Sequence, residues 1–355
     1  MKIRALAGVA LLTTFTLTGS PATAAAPAKP SAPQAGIGLR AFADRADLRI
    51  GTAVDMSALA DDAPYRAAVA REFSTVTAEN VMKWESTEPQ QGVHDWAAAD
   101  RLIDFARANH QKVRGHTLVW HNQNPAWVNE QDLTPAQLRA ALRKHIFDEV
   151  THFKGRVWHW DVVNEVFNDD GTWRDTIWLR NLGQSYVADA FRWAHQADPK
   201  ARLFLNDYNN EGVNAKSDAY YALVKQLRAA GVPVQGYGVQ GHLAVQYGVP
   251  GDTLTNLRRF EKLGLETALT EVDVRMPLPP DPIKVQAQAQ GFTAMLQACL
   301  LARRCVSYTV WGFTDRYSWV PGVFSGQGSA TPFDENLVAK PAYYALRDTF
   351  ALAGR

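Results

Sequence analysis

Short apolar runs alternate along the chain with longer segments whose apolar positions recur at helical spacing. The runs fall at Arg49 to Val54, Thr75 to Ala78, Lys112 to Val119, Val157 to Asn164, Arg202 to Asn206, Gly236 to Gly241, Thr267 to Thr270 and Ser307 to Trp311. Between them, Ala97 to Ala108, Pro135 to His152, Ser185 to Gln196, Lys216 to Ala230, Thr253 to Leu263 and Val285 to Leu301 read as helices, with Pro341 to Phe350 as the last. Continuous apolar runs suit strands covered on both faces, and strict alternation with helices suits a parallel sheet. Thr134-Pro135 sets a cap before a first-turn proline, and Gly231 followed by Pro233 stops a helix. Eight such units predict an α/β fold, a single (β/α)8 TIM barrel.

A barrel of this kind keeps its chemistry at the carboxyl ends of the strands. Glu79, Asn80 and Lys83 follow the second strand, while His116, Trp120, His121 and Gln123 end or follow the third. Asn164 and Glu165 end the fourth; Asn206, Asp207, Tyr208 and Asn209 follow the fifth; Gln240 and His242 follow the sixth. Glu271 and Asp273 follow the seventh, and Trp311 ends the eighth. All of them fall on one face, which makes that face the expected cleft. Two of its groups are strand-end glutamates, Glu165 and Glu271, on strands expected to face one another across the mouth. Cleaving an acetal between sugars takes such a pair, one carboxyl to protonate the leaving oxygen and one to attack or to activate water. A separation of about 5–5.5 Å makes a retaining enzyme, and about 6.5–9.5 Å an inverting one.

The amino end changes the picture of where the chain works. Lys2 and Arg4 precede an uncharged stretch, Ala5 to Gly19, and Ala22-Thr23-Ala24 or Ala24-Ala25-Ala26 offers a small-residue cleavage pattern. Residues 1–24 are therefore expected to be a secretory signal peptide, residues 25–36 a Pro/Ala-rich linker and residues 37–353 the catalytic domain. The threonine-studded stretch is too short for a membrane anchor. With 37 basic and 36 acidic residues and a net charge of +1, there is no electrostatic case for nucleic acid or an anionic membrane as partner. The 11 tryptophans and 11 tyrosines, several beside polar motifs, suit stacking on neutral sugar faces. In an exported chain Cys299 and Cys305 are expected to form one local disulfide pinning a helix end.

Histidines offer a rival chemistry, since His116, His121 and His242 with a carboxylate could ligate zinc. His116 and His121, five apart at a strand end, share no obvious face. Hydrogen bonding to carboxylates or sugar hydroxyls is the simpler use, so neither metal nor cofactor is expected. His159, inside the fourth strand, reads as a core histidine.

The motifs Thr77-Ala78-Glu79-Asn80-Val81-Met82-Lys83-Trp84, Gly115-His116-Thr117-Leu118-Val119-Trp120-His121, Trp160-Asp161-Val162-Val163-Asn164-Glu165, Asn206-Asp207-Tyr208-Asn209, Thr270-Glu271-Val272-Asp273 and Thr309-Val310-Trp311-Gly312 stand in the order found in one family. Over roughly Leu39 to Phe350 the chain resembles glycoside hydrolase family 10, the endo-1,4-β-xylanases. The resemblance implies Glu165 as general acid/base, Glu271 as nucleophile, and retention of configuration without a cofactor. It also implies that His242 and Asp273 hold Glu271 and that Asn164 donates to the sugar 2-hydroxyl. Glu79, Asn80, Lys83, His116, Trp120, Gln123, Gln240, Trp311 and Trp319 resemble the glycone-side binding residues, and Tyr208 lines the aglycone side. Two departures touch local packing: Val166 stands where the family usually has alanine, and Gly241 where serine or alanine is usual. Xylan and xylo-oligosaccharides are the implied partners of a monomer that grips polymer with its cleft and not with an appended module. Related readings are a retaining glycosidase acting on β-glucan or on aryl or steroidal glycosides, and a catalytically silent glycan-binding barrel.

Overall fold

The strands of the computed structural model are β1 (Arg49–Val54), β2 (Thr75–Ala78), β3 (Lys112–Val119), β4 (His159–Asn164), β5 (Arg202–Asp207), β6 (Gly236–Val239), β7 (His242–Ala244), β8 (Glu266–Pro277), β9 (Cys305–Val310) and β10 (Gln327–Gly328). The structure describes residues 37–130 and 132–354, so the expected signal peptide and linker lie outside the described residues. Each of β1 to β5 pairs in parallel with the next, β6 pairs with β8, β8 with β9, and β9 returns to β1. The sheet therefore closes on itself as an eight-stave barrel, and the predicted (β/α)8 fold is present.

Helices between the staves cover the outer face, which is why strand residues are buried almost without alternation. Thr134 and Gln137 form a reciprocal capping box at the start of Pro135–His152, as the Thr-Pro signal suggests. Asn214 and Ser217 do the same for Ala215–Ala229, and the Asp281 side chain caps Pro282–Leu301. Close packing leaves room for only one large ring at certain register positions. A Cβ on Gly236 would meet the Phe204 ring at 2.2 Å, so glycine there admits the ring that stacks on His159 at 3.6 Å.

Five of the eight expected strands differ from the sequence pattern at one end or both, and one difference matters for chemistry. β6 stops at Val239, and the chain then turns through Gly241, at φ +81°, before β7 resumes pairing along the outer half of β8. β8 runs to Pro277, so Glu271 and Asp273 lie within the strand and not after it. Its outer half is held by β7 in parallel and β10 antiparallel, both pairings too remote in sequence to read locally. Register shifts against β9 between Leu269 and Val272 re-aim this segment at the barrel mouth. β4, in turn, begins at His159, two residues later than expected.

Cys299 and Cys305 are bonded, joining the end of Pro282–Leu301 to the start of β9. Among the described residues no helix is long and apolar enough to cross a membrane.

Candidate active site

At the centre of the barrel lies a charged layer that the strands bury. Arg114 on β3 is 2 % exposed, and its guanidinium donates to Asp161 Oδ2 at 2.9 Å, to Glu271 Oε1 at 3.2 Å and to the Thr270 carbonyl across the barrel. Asp161 Oδ2 also accepts from His116 Nδ1 at 2.8 Å, and Oδ1 meets His159 Nε2 at 3.1 Å. Burial pushes the Asp161 carboxyl up, but the Arg114 charge and the histidine hydrogen bonds outweigh it and hold the group well below the usual carboxylate range. His159 is thus a core histidine bonded through one ring nitrogen, while its Nδ1 has no partner among the described residues.

Glu271 rises from this layer into the cleft, 3 % exposed. Its Oε1 accepts from Asn206 Nδ2 at 2.8 Å as well as from Arg114, and its Oε2 faces His242 Nε2 at 3.3 Å. Burial alone would raise this carboxyl; His116, His242 and Arg114 more than offset burial and hold it at about 2. Glu271 is accordingly an ionised carboxylate. His242 Nδ1 donates to Asp273 Oδ2 at 2.9 Å, and the same oxygen accepts from Trp319 Nε1 at 2.8 Å. Burial lowers the His242 imidazole, yet Asp273 and Glu271 together raise it to about 10. A cation therefore sits between two carboxylates and fixes the orientation of Glu271.

Glu165 follows β4 at φ +59°, in the left-handed region that costs a non-glycine residue roughly 1–3 kcal/mol. Its Oε2 accepts from Trp120 Nε1 at 2.8 Å, and its Oε1 from Gln240 Nε2 at 3.2 Å and Asn164 Nδ2 at 3.3 Å. These are neutral donors, whereas Glu271 faces cations. The two carboxyl groups therefore sit among different hydrogen-bond partners. An amide relay joins them, because Asn206 Nδ2 also donates to Asn164 Oδ1 at 2.9 Å.

The cleft holds about 680 Å³, and every sequence-predicted sugar-binding residue lines it. On one side are Glu79, Asn80, Lys83, His116, Trp120 and Gln123; Asn164, Tyr208, Gln240, Trp311 and Trp319 complete the set. Lys83 Nζ donates to Gln123 Oε1 at 2.6 Å and Asn80 Oδ1 at 3.0 Å, and it lies 4.9 Å from the Trp120 ring centroid. Burial, with the nearby Asp55 charge, pushes Glu79 up to about 7 against the opposing effect of Lys83. The sequence pattern missed Asn122, Arg275, Val323 and Phe324, which also line the cleft, as does Asn209 from the expected cluster after β5. It also passed over Arg114, Asp161 and Asn206 as members of the carboxylate network. Arg114 and Asp161 carried a signal, since a charge inside an otherwise buried parallel strand must find a partner there.

The three histidines considered as zinc ligands meet carboxylates: His116 bonds Asp161 and lies 3.8 Å from Glu271, His242 pairs with Asp273 and Glu271, and His121 lies 3.8 Å from Glu165. Donor atoms of His116, Asp161 and Glu271 do lie within 4.8 Å of one another. Arg114 bridges both of those carboxylates, so the chain supplies its own cation at that cluster. The two departures from the family pattern are both packed. Val166 is buried, and its N–H donates to the Tyr220 hydroxyl at 3.0 Å; at Gly241 a Cβ would meet Val272 at 3.1 Å.

Comparison with known proteins places this geometry. Residues 38–349 match the model of glycosyl hydrolase family 10. An endo-1,4-beta-xylanase of Agaricus bisporus is 44% identical over 300 residues, 84% of this chain and 90% of the relative. One from Thermotoga neapolitana, endo-1,4-beta-xylanase B, is 41% identical over 87% of this chain and 90% of its own length. Among solved structures, xylanase 10B of Thermotoga petrophila in complex with xylobiose superposes with a TM-score of 0.88 at 41% identity, over 90% of this chain and 99% of that one. Endo-1,4-beta-xylanase XylE of Penicillium canescens gives 0.87 at 35% identity, covering 89% and 98%. With the match spanning nearly the whole described barrel, the chain belongs to glycosyl hydrolase family 10 and is a glycoside hydrolase.

Proposed function

We propose that this chain is a secreted endo-1,4-β-xylanase that hydrolyses internal β-1,4-xylosidic bonds by retaining double displacement. Glu271 is the nucleophile: it attacks the anomeric carbon and forms a covalent α-xylosyl ester while Glu165 protonates the departing glycosidic oxygen. Glu165 then takes a proton from water, which displaces the ester and restores the β configuration. The observation that carries this reading is the ionised Glu271 carboxylate, held by Arg114, Asn206 and His242, in one cleft with a Glu165 that meets only neutral donors within hydrogen-bond distance. Asn164 is bonded to both Glu165 and Asn206, and we assign it as the donor to the sugar 2-hydroxyl. The relatives described as endo-1,4-beta-xylanases and the neighbour solved with xylobiose support the choice of xylan. Export is supported by the basic start, uncharged stretch and small-residue pattern of residues 1–24. Nothing in the site calls for a second subunit, and we read the working form as a monomer without cofactor.

The test is hydrolysis of xylan, carboxymethylcellulose and an aryl cellobioside by the unaltered chain and by Glu165→Ala and Glu271→Gly. Xylan is expected to be preferred, and each substitution to cost at least about a thousandfold, near 4 kcal/mol of barrier. Preference for the glucan or the aryl glycoside assigns the substrate to the related glycosidases. Activity retained in both variants removes the catalytic assignment.

A further inference from the structure

Glu165 occupies left-handed backbone space, and a non-glycine residue stays there only when its surroundings hold it. The Glu165 N–H is held by the Asn206 carbonyl at 2.9 Å, and the stretch that follows is held by Arg174. Arg174 Nε donates to the Glu165 carbonyl at 3.0 Å, its Nη2 to the Phe167 carbonyl at 3.2 Å, and its backbone N–H to the Val166 carbonyl at 2.8 Å. The same Nη2 donates to the Tyr208 hydroxyl at 2.8 Å. Beneath the Tyr208 ring lies the fully buried Lys216, its Nζ 3.7 Å from the ring centroid and paired with Asp207 at 2.9 Å and Asp169 at 3.1 Å. Tyr208 is therefore fixed by a cation under its face and by Arg174 at its hydroxyl.

We propose that Arg174 is a positioning residue for the acid/base, holding the Glu165 peptide in its left-handed conformation and tying it to Tyr208. A sugar seated against Tyr208 and the carboxyl that protonates the bond are then placed by one guanidinium. The inference rests on the reading of Glu165 as acid/base and of Tyr208 as an aglycone-side residue. Arg174 donates to the backbone of Glu165 and makes no hydrogen bond to its carboxylate, so its loss displaces the proton donor without deleting it. A planar fork serves several acceptors in fixed directions; a lysine, with a single point charge, cannot reproduce that.

The experiment compares xylan with 2,4-dinitrophenyl β-xylobioside, whose leaving group departs without a proton. Arg174→Gln is expected to lower kcat/KM on xylan about 100-fold while leaving it within about threefold on the dinitrophenyl substrate, because only the first needs acid assistance. On the dinitrophenyl substrate kcat falls with KM, since the glycosyl-enzyme still needs a base, and azide restores it. Arg174→Lys is expected to fall between the two. Tyr208→Phe, which removes the hydroxyl acceptor alone, is expected to show the same dependence on leaving group at about fivefold on xylan. Equal losses on both substrates, or none on xylan, overturn the proposal. If Glu165→Ala itself shows no dependence on leaving group, the acid/base reading fails first, and the role of Arg174 falls with it.

Discussion

Asn206 donates to Glu271, Nδ2 to Oε1 at 2.8 Å, and with its other amide hydrogen reaches Asn164 Oδ1 at 2.9 Å. Thr270 Oγ1 donates to Asn206 Oδ1 at 2.7 Å, which fixes the amide in the orientation that offers both hydrogens to the cleft. A hydrogen bond to an ionised group is worth about 1.5–3 kcal/mol. Asn206→Ala is therefore expected to lower kcat/KM on xylan by about 10- to 100-fold. Steady-state kinetics check it, and a loss below threefold contradicts the bridging role.

The charge on His242 sets a pH dependence whose sign follows from two shifts. Glu271 lies at about 2, below the ordinary 4.5, so its contribution to stability is present above about 4.5 and is lost as pH falls through about 2. His242 lies at about 10, above the ordinary 6.5, so its contribution is full below about 6.5 and is lost as pH rises through about 10. In His242→Gln, burial still pushes Glu271 up while one opposing cation is gone. The acid limb of kcat/KM is expected to move to higher pH, and the Tm gap to the unaltered chain to be widest in the window between about 4.5 and 6.5. An unmoved acid limb contradicts the role of His242.

Much of this was legible in the chain because barrel strands are short, apolar and regularly spaced, and because each functional cluster follows one. Glu165 and Glu271 stood out as glutamates closing such runs on strands expected to face one another across the mouth. Other features depended on contacts remote in sequence. The extension of β8 to Pro277 needs β7 and β10 as partners, and Met276-Pro277 in isolation reads as the start of a loop. Arg114 looks like an intrusion in β3 until Asp161, 47 residues on, supplies its counter-charge. Phe324 and Val323 line the cleft from the segment after β9 with no motif around them, so composition gave no handle on them. The left-handed conformation of Glu165 is invisible in sequence, because glutamate has no preference for it.

Arg114 offers a test of the buried charge layer. Removing one partner of a buried pair leaves an uncompensated charge and costs about 3–5 kcal/mol. Arg114→Met is expected to lose stability on that scale in urea denaturation, with part of it recovered when Asp161→Asn is added. A loss below about 1 kcal/mol shows that the layer does not depend on the pair.

The disulfide closes a loop of six residues' separation, and neither cysteine lines the cleft. Loop-closure entropy for so short a ring corresponds to about 2 kcal/mol. Cys299→Ser with Cys305→Ser is expected to lower stability by that amount and to leave kcat/KM on xylan unchanged, as thermal denaturation and initial rates will show.

The assignment of Glu271 as nucleophile and Glu165 as acid/base is tested most directly by the anomeric configuration of the glycosyl azide that Glu271→Gly forms from an aryl β-xylobioside. With the nucleophile removed, azide takes its place on the α face while Glu165 still protonates the leaving group, and α-xylobiosyl azide is expected. A β-configured azide, or no azide adduct from a variant that still hydrolyses xylan, contradicts the assignment.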